Sequence, residues 1–276
     1  MRRGAVKCAR ACAWGGGTII NAIATGLGAA FPISMRATAE VCEAERDSVS
    51  TYADVDMGPV LRAVALVREK LGLGPLSVRI EGDLPTAGGL KSSSATLNAV
   101  IRAAAELAGV KLDLFDAARL NAQISREVGI SVTGAFDDAV ASAVGRAYLT
   151  DNFKLVVIRE LDVSGRAVVL IPPWEKRRHK LEEMGALAPV VRVAVSHAGL
   201  GMWKEAMLIN AVAYGYALGY PPDPLLDALK LGAVGGVSGT GPSHVFVAED
   251  PERLAQALAK YGKTYVVDIP RGPCEA

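Results

Sequence analysis

Apolar residues recur along the chain in two rhythms. Over residues 59–71, Val60, Leu61, Val64, Leu66, Val67 and Leu71 keep helical spacing, and Gly72 supplies a stop. Over 97–108, Leu97, Val100, Ile101, Ala104, Leu107 and Ala108 form one buried face ahead of Gly109. A third helix is predicted over 114–128, and a small-residue helix over 139–144 that ends at Gly145. Short apolar runs at 5–13, 29–41 and 76–81 predict strands. Beyond residue 145 the order changes. Strands are predicted at 147–149, 154–159, 167–171, 190–196, 245–248 and 264–269, with helices at 204–218, 225–231 and 252–260. Strands and helices mix here rather than alternate, which predicts an α+β class. A soft boundary near residue 150 divides an N-terminal domain, 1–150, from a C-terminal one, 151–276.

The charge balance narrows the partners. The 276 residues carry 30 Lys and Arg against 29 Asp and Glu, a net charge of +1. That excludes broad nucleic-acid binding while leaving room for a local anion site. Apolar runs break within about ten residues, short of the roughly 20 a membrane span needs. The start, MRRGAVKCARACAWGGGTII, meets Arg10 and a glycine run where a secretory leader would be apolar, so it reads as a mature N-terminus. The expectation is a cytoplasmic protein, monomer or homodimer, with no nucleic-acid or membrane partner. Cys8, Cys12, Cys42 and Cys274 match no zinc spacing and read as free thiols. Glutamine occurs only twice and asparagine is scarce, a thermophile tendency.

Candidate chemistry concentrates in four stretches. PTAGGLKSSSATLNAV, 85–100, crowds glycine, lysine and serine just ahead of a helix whose free N–H groups and dipole favour a phosphate. It is not a P-loop, because Leu90 separates Gly89 from Lys91. GAVGGVSGTGPSHVFVA, 232–248, is glycine-rich but runs into a strand, which argues against a dinucleotide loop and for a loop packed on a ligand or another backbone. TGAFDDAVAS, 133–142, opens a helix with two carboxylates, suited either to the helix dipole or to a substrate hydroxyl. WGGGTIINAIATGLGAA, 14–30, offers Thr18 and Asn21 as hydrogen-bond partners for a polyol, or is a glycine-rich surface loop. His179 sits in the basic run EKRRHK, read as solvated, and His244 lies in the late glycine stretch.

These stretches together resemble the GHMP small-molecule kinases. In that family's central pattern, Pro-x-x-x-Gly-Leu-Gly-Ser-Ser-Ala, the positions fall on Pro85, Gly89, Leu90, Ser92 and Ser93, with Lys91 in place of the third-position glycine and Ser94 in place of the alanine. SGTGP, 238–242, is similar to the late glycine motif, and AFDDA sets Asp137 on the position of the catalytic aspartate. GLKSSSA, GGGTIINAIATG, TGAFDDA and WKEAMLIN ahead of GVSGTGP resemble the archaeal-type shikimate kinase branch, in the same order from about residue 10 to 248.

The resemblance implies a GHMP kinase fold, with an N-terminal half like ribosomal protein S5 domain 2 and a ferredoxin-like C-terminal half. It implies ATP phosphates on Gly88, Gly89, Leu90, Lys91, Ser92, Ser93 and Ser94, with Pro85 and Ala95 also in the ATP site, and Mg²⁺ with Ser93 as hydroxyl ligand. Asp137 would be the base, alone or with Lys91. Asp138 is a metal ligand, a second base or a structural cap. Thr18, Asn21, Gly239, Thr240 and Gly241 would contact the substrate, shikimate, and Arg62, Arg192 or Lys204 its carboxylate. A GHMP kinase for homoserine, mevalonate or pantoate, and a non-catalytic sensor, remain as alternatives.

Overall fold

The computed structural model describes residues 6–52, 56–85, 88–177 and 181–276. The chain opens with two long strands, β1 (Cys8–Ile20) and β2 (Leu27–Glu43), paired antiparallel and separated by one 3₁₀ turn over Ala22–Ala24. β3 (Ser48–Thr51) and α1 (Met57–Lys70) lead to β4 (Leu76–Gly82), which pairs antiparallel with β2 and parallel with β3. Three helices follow: α2 (Ser92–Leu107), α3 (Leu114–Glu127) and α4 (Phe136–Val144). After them come β5 (Ala147–Asp151) and β6 (Val156–Leu161). The first sheet has the order β3-β4-β2-β5-β6, with β1 on β2. It therefore runs to Leu161, past the expected boundary near 150.

The second half begins with β7 (Arg166–Ile171), followed by α5 (Leu181–Gly185), α6 (Ala188–Gly199), α7 (Trp203–Leu218) and α8 (Asp223–Lys230). It ends with β8 (Val234–Val237), β9 (His244–Ala248), α9 (Pro251–Leu258) and β10 (Lys263–Asp268). Its sheet is antiparallel, in the order β10-β7-β9-β8. Segregated helices on two mainly antiparallel sheets make this the expected α+β architecture.

Two expectations are corrected. The strand predicted over 190–196 is helical, within α6. Its valines satisfy β-propensity, but Val191, Ala194 and Ala198 are the buried positions, and that spacing is helical. The cysteines are not free: Cys8 bonds Cys42 and Cys12 bonds Cys274. Antiparallel pairing sets Cys8 opposite Cys42, and the chain's end returns over β1, neither of which local spacing reveals. His179 lies outside the described residues.

α2 is the central element. Its alanine-rich stripe, Ala95, Ala99, Ala103 and Ala104 among it, is buried and packs against β1 and β2. One core joins the halves, with Ile19, Phe31 and Leu90 clustering with Val191, Tyr214 and Val245. The cleft over α2's N-terminus is thus walled by both.

Candidate active site

Segment 88–91 turns sharply into α2. Gly89 has a φ of +86°, and a side chain there would strike the carbonyl of Ser238, so only glycine fits. Lys91, the N-cap of α2, has a φ of +64°. That left-handed backbone explains why the family pattern has glycine at this position. Holding lysine there costs about 1–2 kcal/mol. Leu90 is buried in the core and its carbonyl accepts from Gly16 N at 3.0 Å, so the glycine run 15–17 supports the turn from beneath. Ser94 and Ala95 are buried, while Ser93 is exposed at the first turn.

The late glycine loop is stapled onto this turn. Ser238 Oγ donates to Gly89 O (2.8 Å) and Ser243 N to Gly88 O (3.0 Å). Thr18 and Asn21, expected to meet the substrate, also hold that loop: Gly239 N donates to Thr18 Oγ1 (2.8 Å), and Asn21 Nδ2 donates to Gly239 O (2.9 Å). Asn21 and Thr240 still border the cleft, a cavity of about 250 Å³, as do Gly89, Lys91 and Ser92–Ser94. Pro85, Gly88, Leu90, Ala95, Thr18 and Gly241 do not line it.

Both carboxylates of α4 reach the cavity, in different surroundings. Lys91 Nζ lies 2.8 Å from Asp138 Oδ1, both nearly buried, at 8% and 15% side-chain exposure. Asp138 thus pairs with the cradle lysine, a contact that none of the three roles left open for it had named. Asp137 is 4% exposed. Burial, then the neighbouring Asp138 charge, push its carboxyl up to about 7, against the opposing pull of Lys91 and a hydrogen bond from Asn152. Gly28 makes room for it, since a Cβ there would sit 2.6 Å from Asp137 Oδ2.

Several residues that order this site, Asn21 apart, were not singled out in the sequence. All five asparagines, Asn21, Asn98, Asn121, Asn152 and Asn210, are buried. Asn121 Nδ2 donates to Ser94 O and Asn98 Oδ1 (both 2.9 Å), and Asn98 Nδ2 donates to Ala139 O (2.8 Å), so α2, α3 and α4 share one polar network. The scarcity of asparagine was the available signal, since all of the few present are buried and hydrogen-bonded. His244 belongs to a different environment, an aromatic cluster with Trp174, Tyr220 and Phe246, where burial pushes its pKa down to about 4. Of the candidate carboxylate partners, Arg192 is exposed on α6, Lys204 stacks over Trp203, and Arg62 lies outside the cavity. The cavity instead takes in Lys176.

A glycine–serine cradle at a helix N-terminus, facing a lysine and two carboxylates, is the arrangement of a small-molecule kinase. Residues 59–146 match the GHMP kinases N terminal domain. The fold superposes on mevalonate kinase from Methanococcus jannaschii with a TM-score of 0.71 at 13% identity, covering 97% of this chain and 99% of that one. For homoserine kinase from Cytophaga hutchinsonii the values are 0.70, 17%, 95% and 96%. Within this class the chain belongs to the shikimate kinase family. The shikimate kinase of Methanocella arvoryzae is 37% identical over 268 residues, 93% of this chain and 92% of that protein. That of Thermococcus kodakarensis is 36% identical over 271 residues, 94% and 99%.

Proposed function

We propose that the protein transfers the γ-phosphoryl group of ATP to the 3-hydroxyl of shikimate, giving 3-phosphoshikimate and ADP on the route to chorismate. The observation that carries this is near-full-length similarity to shikimate kinases, joined to a base and a phosphate cradle in one cavity.

The phosphates would lie over Gly89 and residues 91–94, the part of the cradle that faces the cavity, drawn by free N–H groups and the positive end of α2. The apolar recess among Val60, Val64, Leu97 and Val100, which shares Ser92 and Ser93 with the cleft, would take the adenine. Among the described residues no cluster of three or more His, Cys, Asp or Glu gathers to cage a metal. Mg²⁺, which usually keeps its waters and takes most other ligands from phosphate, fits such a site with the exposed Ser93 hydroxyl as protein ligand. Bound there, it would neutralise phosphate charge. Asp137 accepts the proton of the attacking hydroxyl, a role suited to a carboxyl that titrates near 7. Lys91, anchored by Asp138, meets the charge of the transferring group. Lys176 pairs with the shikimate carboxylate. The need for ATP supports a cytoplasmic location.

A coupled assay of ADP release with shikimate, homoserine, mevalonate and pantoate tests the proposal. Turnover with shikimate alone is expected. Turnover with another alcohol and not with shikimate would replace the substrate, and ATP binding with no turnover on any of them would favour a sensor.

A further inference from the structure

Asn152 follows the last residue of β5 and has no exposed surface. Its carboxamide meets Asp137 twice. Nδ2 donates to the Asp137 carboxylate at 2.7 Å, and Oδ1 accepts from the Asp137 backbone N–H at 3.1 Å. Thr150 Oγ1 donates to the same Oδ1 at 2.7 Å, and Nδ2 also reaches Thr133 Oγ1 at 3.4 Å. This pattern fixes the orientation of the amide. Flipped, its oxygen would face a carboxylate oxygen and its NH₂ would face an N–H. The carboxylate is therefore held at Oδ1 by Asn152, while Oδ2 lies against the bare Cα of Gly28.

We propose that Asn152 is a positioning residue for phosphoryl transfer: by gripping both the main chain and the carboxylate of Asp137, it fixes the direction in which that carboxylate meets the substrate hydroxyl. The inference rests on the kinase reading above, with Asp137 as base. The grip spans two elements. Asp137 rides on the first turn of α4, whereas Asn152 is fixed to the sheet, its own N–H donating to Gly26 O at 2.9 Å. The base is thus registered against the strands that carry Gly28, not only against its own helix. The charged groups acting on Asp137 are Asp138 from the same helix and Lys91 from the α2 cap; Asn152, Thr133 and Gly28 present neutral groups. A hydrogen bond to the ionised carboxylate favours that form, so losing it shifts ionisation to higher pH.

The test compares wild type, Asn152→Ala and Asn152→Asp in steady-state assays with ATP and shikimate across pH. Asn152→Ala should lower kcat by about 10–100-fold. It should move the lower pH limb of kcat upward and leave the KM for ATP unchanged. A purely structural cap would lower only the melting temperature, so an unmoved limb with wild-type kcat overturns the proposal. Should the alanine variant fail to fold, Asn152→Asp retains an acceptor for the Asp137 N–H but cannot donate to its carboxylate when ionised. It should show the same loss of kcat, and wild-type kcat above the pH of both carboxyl titrations overturns the proposal. An inactive wild type would overturn the shikimate reading, and this inference with it; an active wild type isolates the role of Asn152.

Discussion

A buried carboxyl serves as a base only if its desolvation is held in check. At Asp137, burial and Asp138 raise the pKa to about 7, while Lys91 and Asn152 oppose them. Asp137→Asn should keep ATP binding but cut turnover by about 10²-fold or more, read from kcat. The same group sets a stability trend. Its folded pKa is raised, so its contribution is full below the unfolded value near 4 and is lost as pH rises through about 7. Between pH 5 and pH 8 the melting temperature of Asp137→Asn should therefore gain relative to wild type, and a pH-independent difference would refute this. Gly28→Ala should displace the carboxylate and abolish most activity in a chain that still folds, as circular dichroism would report. The aspartate was legible in the sequence because its motif is contiguous. Gly28 and Asn152 were not, because they reach Asp137 only through the pairing of β2 with β5.

At the scale of elements, two helix N-termini converge on one cleft, each preceded by a left-handed residue, Lys91 at φ +64° and Ala135 at φ +48°. Neither cap has a side-chain hydrogen bond, whereas the Asn98–Asn121 network ties the two helices together. Asn98→Leu would leave Ala139 O and an Asn121 N–H without their partner, a loss of about 1–3 kcal/mol per buried group. A lower urea midpoint together with weaker ATP binding is expected; a change in stability alone would mean the network does not align the cradle. Most elements were legible from apolar spacing, α2 best of all. α6 was not, since a valine-rich run favours strand locally and only the packing of Val191, Ala194 and Ala198 decides for helix.

For the whole molecule, the C-terminal residues return across the first sheet. Trp14 Nε1 donates to Gly272 O (2.9 Å), Arg102 Nη1 reaches Cys12 O (2.6 Å) and Cys274 O (3.4 Å), and the Cys12–Cys274 bond joins positions 262 apart in sequence. Such a link restricts the unfolded chain by about 2–5 kcal/mol. Cys274→Ser should thus lower the melting temperature by roughly 5–15 °C with activity at room temperature preserved. The cysteine count pointed to thiols because disulfides are rare inside cells. Intracellular proteins of hyperthermophiles are the known exception, and the low glutamine and asparagine content agrees with that.

This bond also makes almost the entire polypeptide a covalent ring. A single hydrolytic break at any exposed loop between Cys12 and Cys274 would not release a fragment. The severed ends would stay tethered within one molecule, with the shared core still in place to hold the cleft together. A nicked enzyme should therefore run as one species until reduced, and should keep working after damage that would separate the halves of an open chain.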